Sequence, residues 1–106
     1  MTRQYRQGDV LLCAVDGIPA AARPVPRDGD RVVLARGELS GHAHAFAADA
    51  AQLFQDNKTR RAFLRIGKEG ARLCHEEHGA ILVPEGHYEL RRQREYAPRM
   101  PRLVGD

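Results

Sequence analysis

The sequence predicts a small, mainly β domain, a barrel or sandwich with at most one short helix. Short apolar runs recur along the chain at near-regular spacing, separated by turn signals rich in Gly, Pro, Asp and Asn. The 106 residues match the commonest domain size and leave no room for two independent cores, so residues 1–106 read as one domain. Apolar residues make up 42% of the chain, yet Trp is absent and there are three Phe and three Tyr. The core must therefore come from Val, Leu, Ile and Ala, a palette that suits a barrel or sandwich interior.

Gly8-Asp9 is a turn pair that opens the apolar run Val10-Leu11-Leu12-Cys13-Ala14-Val15, the first buried strand. Over residues 16–30, Pro19, Pro24 and Pro26 with two glycines break any regular ladder and predict a long loop with extended pieces. Asp28-Gly29-Asp30 turns the chain into a β-branched run at 31–36, the second strand, and Gly37 and Gly41 bracket a bend ahead of His42. The alanine-rich stretch 47–55 is the place for one or two helical turns. Asn57-Lys58-Thr59 then leads into a strand at 61–66, and Lys68-Glu69-Gly70 reads as a hairpin tip with 71–75 as its returning strand. A short apolar strand at 80–84 and a final strand at 87–94 follow, joined by Glu85-Gly86. The tail, 95–106, carries Pro98 and Pro101 and reads as extended or mobile chain.

Seventeen Lys and Arg against 14 Asp and Glu give a net charge of +3, a mild excess that neither demands nor excludes nucleic acid. The polar N-terminus lacks an apolar signal core, and no apolar run approaches the roughly 18 residues that span a membrane, so a cytoplasmic protein with no membrane partner is expected. Two cysteines, Cys13 and Cys74, are too few for a disulfide framework and are expected to stay thiols.

Four of the five histidines fall in two tight clusters, Gly41-His42-Ala43-His44 and Cys74-His75-Glu76-Glu77-His78. Clustered imidazoles and carboxylates are what a divalent transition metal needs, and imidazole favours zinc, iron, nickel or copper over magnesium and calcium. In an extended segment His42 and His44 leave the same face about 7 Å apart, a spacing that can chelate one ion. His75 and His78 are an odd step apart, so they share an ion only across a turn or bulge at Glu76-Glu77, which Gly79 favours. His42, His44, His75 and His78 are thus the predicted metal ligands. If the metal is catalytic, as a Lewis acid or through bound water, Glu76 or Glu77 is the predicted proton acceptor. The string is not the helical protease signature His-Glu-x-x-His, because its second histidine comes one residue early.

The bend before His42-Ala43-His44 and the later Gly79-(four residues)-Pro84-Glu85-Gly86 segment loosely resemble the two motifs of the cupin superfamily, over roughly residues 37 to 90. The resemblance implies a cupin-like double-stranded β-barrel with a two-motif metal site. Asp49 stands nearest the place of the family's later glutamate, and Glu89 holds the place of its final histidine. The strings Gly-His-Ala-His, His-Glu-Glu-His and Gln-Arg-Glu-Tyr are also similar to small bacterial and phage-associated proteins, a likeness that implies no particular activity.

Against the metal reading stands a non-enzymatic module that binds nucleic acid or protein through the basic C-terminal strip Arg91, Arg92, Arg94 and Tyr96. Arg grips phosphate bidentately and Tyr stacks on bases, but Glu89 and Glu95 dilute the strip, and a solvated sheet face is the plainer reading. Short edge strands and the tail make a homodimer reasonable.

Overall fold

A computed structural model describes residues 3–36 and 42–92; the expected bend at Gly37 and Gly41, Arg94, Tyr96 and the tail lie outside the described residues. Ten strands follow one another, and the described residues hold no helix. They are β1 (Gln4–Gln7), β2 (Val10–Val15), β3 (Arg23–Pro24), β4 (Arg31–Arg36) and β5 (Ala43–Ala47), then β6 (Ala51–Gln55), β7 (Ala62–Ile66), β8 (Ala71–Leu73), β9 (Ile81–Val83) and β10 (Gly86–Arg92).

One antiparallel sheet runs β1-β2-β10-β7-β6-β3, and two hairpins, β4-β5 and β8-β9, form the facing layer. The hairpins are stitched together where Ala45 N–H donates to the Cys74 carbonyl at 3.0 Å and Cys74 N–H to the Ala45 carbonyl at 2.9 Å. The six-stranded sheet ends at β1 and β3, so it does not close into a barrel; the mainly β expectation is met by a two-layer sandwich.

Alternation decides what faces inward. Val10 and Leu12 from β2, Leu53 from β6, Leu64 and Ile66 from β7 and Tyr88 from β10 meet Val32, Phe46, Leu73 and Val83 from the two hairpins in one core. Complete burial of each large aliphatic or aromatic side chain here is worth about 1.5–3 kcal/mol. The opposite face of the large sheet carries a second, smaller cluster in which Phe54 and Phe63, directly paired across β6 and β7, pack with Ala22. Arg61 and Arg65 lie over the rings of Phe63 and Phe54, with guanidinium carbons 5.2 and 5.0 Å from the centroids.

Two expectations need correction. The alanine-rich stretch is not helical: residues 51–55 form β6, because its register against β7 places Ala51 and Leu53 in the core and overrides alanine's helix propensity. Lys68-Glu69-Gly70 does turn the chain, but β8 does not return along β7. β7 is already paired on both sides, by β6 and β10, so β8 crosses to the other layer and pairs with β9. The polar N-terminus is a strand, β1, whose one buried residue is Gln7. Both cysteines are free, as expected, with Cys13 buried and Cys74 exposed. Among the described residues, no helix is long and apolar enough to cross a membrane.

Candidate metal centre

Three segments converge at one end of the sandwich: the β1–β2 turn, the start of β5 and the chain after β8. Gly8 takes the first central position of the two-residue turn between Gln7 and Val10 with φ +58°, the conformation a type II′ hairpin needs there. His44 stands on β5 within the run of buried residues Ala43 to Phe46. The Ala45–Cys74 bridge anchors the start of the second histidine cluster beside it. Beyond that bridge the chain bends at Glu76-Glu77-His78, and the odd step between His75 and His78 is absorbed there, leaving their ring centroids 4.5 Å apart.

The result is a tight histidine cluster. The rings of His44 and His75 lie 4.3 Å apart, and those of His44 and His78 5.7 Å apart and nearly parallel. His44, His75 and His78 each offer a ligand atom within 4.8 Å of the others. A second trio, His42, His75 and Glu76, meets the same spacing, so His75 is common to both. His42 and His44 therefore fall into different trios.

His44 is 4% exposed and fully oriented. The buried Gln7 amide donates from Nε2 to the Leu73 carbonyl and to the Gly79 carbonyl, both at 2.9 Å. With both amide protons so committed, Gln7 Oε1 is an acceptor, and it lies 2.8 Å from His44 Nδ1. His44 must donate from Nδ1, which leaves the Nε2 lone pair open. Facing that lone pair at 3.5 Å is Oδ1 of Asp9. Burial raises the Asp9 carboxyl, but the Arg92 hydrogen bond and charge outweigh it and hold the group below the usual carboxylate range. An ionised carboxylate opposite an imidazole lone pair is repulsive until a cation lies between them. A proton is a poor choice, because burial first, then the charges of His75, His78 and Arg92 against the pull of Asp9, lower the His44 pKa to about 4.

That shift has a measurable consequence for stability. The folded-state pKa of about 4 lies below the 6.5 of an ordinary imidazole, so the unfolded chain takes up a proton that the native chain refuses. The stability from neutral His44 is complete above pH 6.5 and lost as pH falls from there to about 4, amounting to about 3 kcal/mol. Urea midpoints of the wild type and His44→Gln measured across this window should diverge, with the wild type losing more; parallel curves would contradict the assignment.

Around this core the remaining predicted residues take distinct places. His75 Nδ1 accepts the backbone N–H of Glu77 at 3.0 Å and of His78 at 3.3 Å, so its neutral form carries the ring proton on Nε2. Glu76 Oε1 accepts the Ala43 N–H at 2.9 Å, which holds its carboxyl below the usual range. Glu77 Oε2 lies 3.6 Å from His42 Nδ1. His78 rests on Gly8, where a Cβ would come within 2.6 Å of His78 Nε2. Gly8→Ala should thus cost about 1–2 kcal/mol through its positive φ and push His78 out of the trio, weakening metal binding in the same variant. A variant with unchanged denaturant midpoint and metal affinity would refute that close approach.

The basic strip divides over the two faces of β10. Arg91 Nη2 reaches Glu89 Oε1 at 3.3 Å on the outer face, where Arg61 also grips Glu89 with two bonds of 2.9 and 3.0 Å. Arg92 holds Asp9 Oδ2 through Nε and Nη2, each at 3.0 Å, beside the histidines. Asp9 and Gln7 are the site residues that sequence reasoning missed. For Asp9 the only signal was its place in a turn, and for Gln7 there was none.

Fold and site together define a small β-sandwich domain with a buried, amide-oriented histidine at the centre of a three-histidine cluster. The chain belongs to a family described as a domain of unknown function (DUF8820), which matches residues 6–93, a span that includes Gln7, Asp9 and all four clustered histidines. No curated protein and no solved structure matches it.

Proposed function

We propose that this chain is a metal-binding β domain that holds a divalent transition metal, zinc, iron, nickel or copper, on His44, His75 and His78. The observation that carries this reading is the open Nε2 lone pair of buried His44, fixed by Gln7 and opposed by the Asp9 carboxylate. An outer partner that fixes the tautomer of a ligating histidine is a regular companion of metal sites. Three imidazoles leave coordination positions for solvent or substrate, the arrangement of a centre that can act as a Lewis acid or lower the pKa of a bound water. Glu77 lines the same cavity and is the proton acceptor in this reading, whereas Glu76 is committed to the Ala43 N–H. The cupin resemblance enters at its first motif only, through His44; Glu89, at the place of the second motif's histidine, is engaged by Arg61 and Arg91. The basic strip gains less support as a nucleic-acid surface, because alternation along β10 sends Arg91 to Glu89 on one face and Arg92 to Asp9 on the other, so the two do not form one patch.

Ligation by His75 must displace something. If the metal takes Nδ1, the two amide contacts of the 75–78 bend are lost; if it takes Nε2, the ring proton moves to Nδ1, which can then no longer accept those two amides. Titrating zinc into isotopically labelled protein is therefore expected to move the backbone amide resonances of Glu77 and His78 together with the His44 ring signals. Shifts confined to residues outside the cluster, such as His87 on β10, would sink the assignment.

A further inference from the structure

The three-histidine trio sits in a cavity of about 240 Å³ that is also walled by Arg36 and Arg92, with Gly8 where a side chain would fill it. This is smaller than the roughly 300–1,000 Å³ of a pocket for a drug-sized molecule, so the occupant has only a handful of heavy atoms.

The charges lining the cavity nearly cancel before any metal enters. Arg36 and Arg92 are balanced by Asp9 and Glu77. Three imidazole ligands bring no negative charge, so a divalent ion held by them keeps its full charge and turns the cavity into a cationic one.

The guanidiniums are suited to exploit that. Asp9 engages Nε and Nη2 of Arg92, and Asp28 engages Nη2 of Arg36. A guanidinium has five N–H donors, so both retain donors beyond these pairs. A positive centre with two planar cation forks on its wall matches one kind of small ligand: an oxyanion that offers one oxygen to the metal and others to arginine.

We infer that the cavity binds a small oxyanion, a carboxylate or phosphate group, as the exchangeable ligand of the His44–His75–His78 metal, positioned by Arg36 and Arg92. This rests on the metal reading above and names the chemical class of its ligand. It also makes Arg36 and Arg92 positioning residues.

The test uses the full chain loaded with cobalt(II), whose visible absorption reports on its ligands. Acetate, malonate and inorganic phosphate are titrated separately at constant ionic strength, which removes general screening. At least one should shift the cobalt bands saturably. Its affinity should fall about tenfold or more in Arg36→Gln and in Arg92→Lys, with cobalt still bound, because each loses part of the bidentate grip. A stronger response to acetate or malonate identifies a carboxylate ligand, and a stronger response to phosphate identifies a phosphate ligand. Bound cobalt whose spectrum ignores all three anions overturns the inference and leaves the metal site standing, as does equal anion affinity in wild type and both variants. Failure of the wild type to bind cobalt overturns both. The wild-type titration is decisive even where a variant does not fold.

Discussion

Replacing Gln7 with Leu is expected to destabilise the fold by about 4 kcal/mol or more, an unusually large effect for one uncharged side chain in a four-residue edge strand. Gln7 is 3% exposed and ties three elements together: β1 through its own backbone, the end of β8 through the Leu73 carbonyl, and the loop before β9 through the Gly79 carbonyl. Leu fills a similar volume but leaves two carbonyls and the His44 Nδ1–H without partners, each at about 1–3 kcal/mol. Gln7→Glu is the sharper control, because it keeps the shape and sets a carboxylate oxygen against two carbonyl oxygens. It should be destabilised as well, although it can still accept from His44. Urea unfolding gives both values; a loss under 1 kcal/mol in both variants would mean that the amide does not hold the site.

The second large effect is expected from the metal. Binding that favours only the native state stabilises by about 4 kcal/mol when free metal is a thousand times its dissociation constant. Thermal unfolding with and without zinc should show this as a rise in Tm, and a chelator should reverse it. In His78→Ala the gain should be largely lost, because a two-imidazole remnant has no third ligand. That variant is informative because the residue is exposed, so its apo stability should stay close to wild type. Stabilisation of equal size in wild type and His78→Ala would place the ion elsewhere, with the His42–His75–Glu76 trio as the next site to test.

The sequence carried much of this unevenly. Strands written in contiguous β-branched or aliphatic runs, such as β2 and β4, are legible because burial and backbone preference agree there. β6 is not, because its alanines favour helix and only the register with β7 decides otherwise. The partner of β8 is equally hidden, since a turn signal says that the chain reverses and nothing about which layer it enters. The histidine clusters stand out because residue type alone marks them. Their support does not: Gln7 lies 37 positions from His44 and looks like any polar terminal residue, and its role exists only once β1 seals the edge beside β2. Asp9 reads as half of a turn pair until the fold sets it against His44 Nε2 and Arg92. Residue chemistry was visible, and long-range placement was not.

The most direct measurement is elemental analysis of untagged protein after loading with zinc, iron, nickel or copper and exhaustive dialysis, comparing the wild type with His44→Ala/His78→Ala. The account predicts about one transition-metal ion per wild-type chain and essentially none in the variant. Wild-type protein that retains no metal, or a variant that retains as much as the wild type, would contradict it.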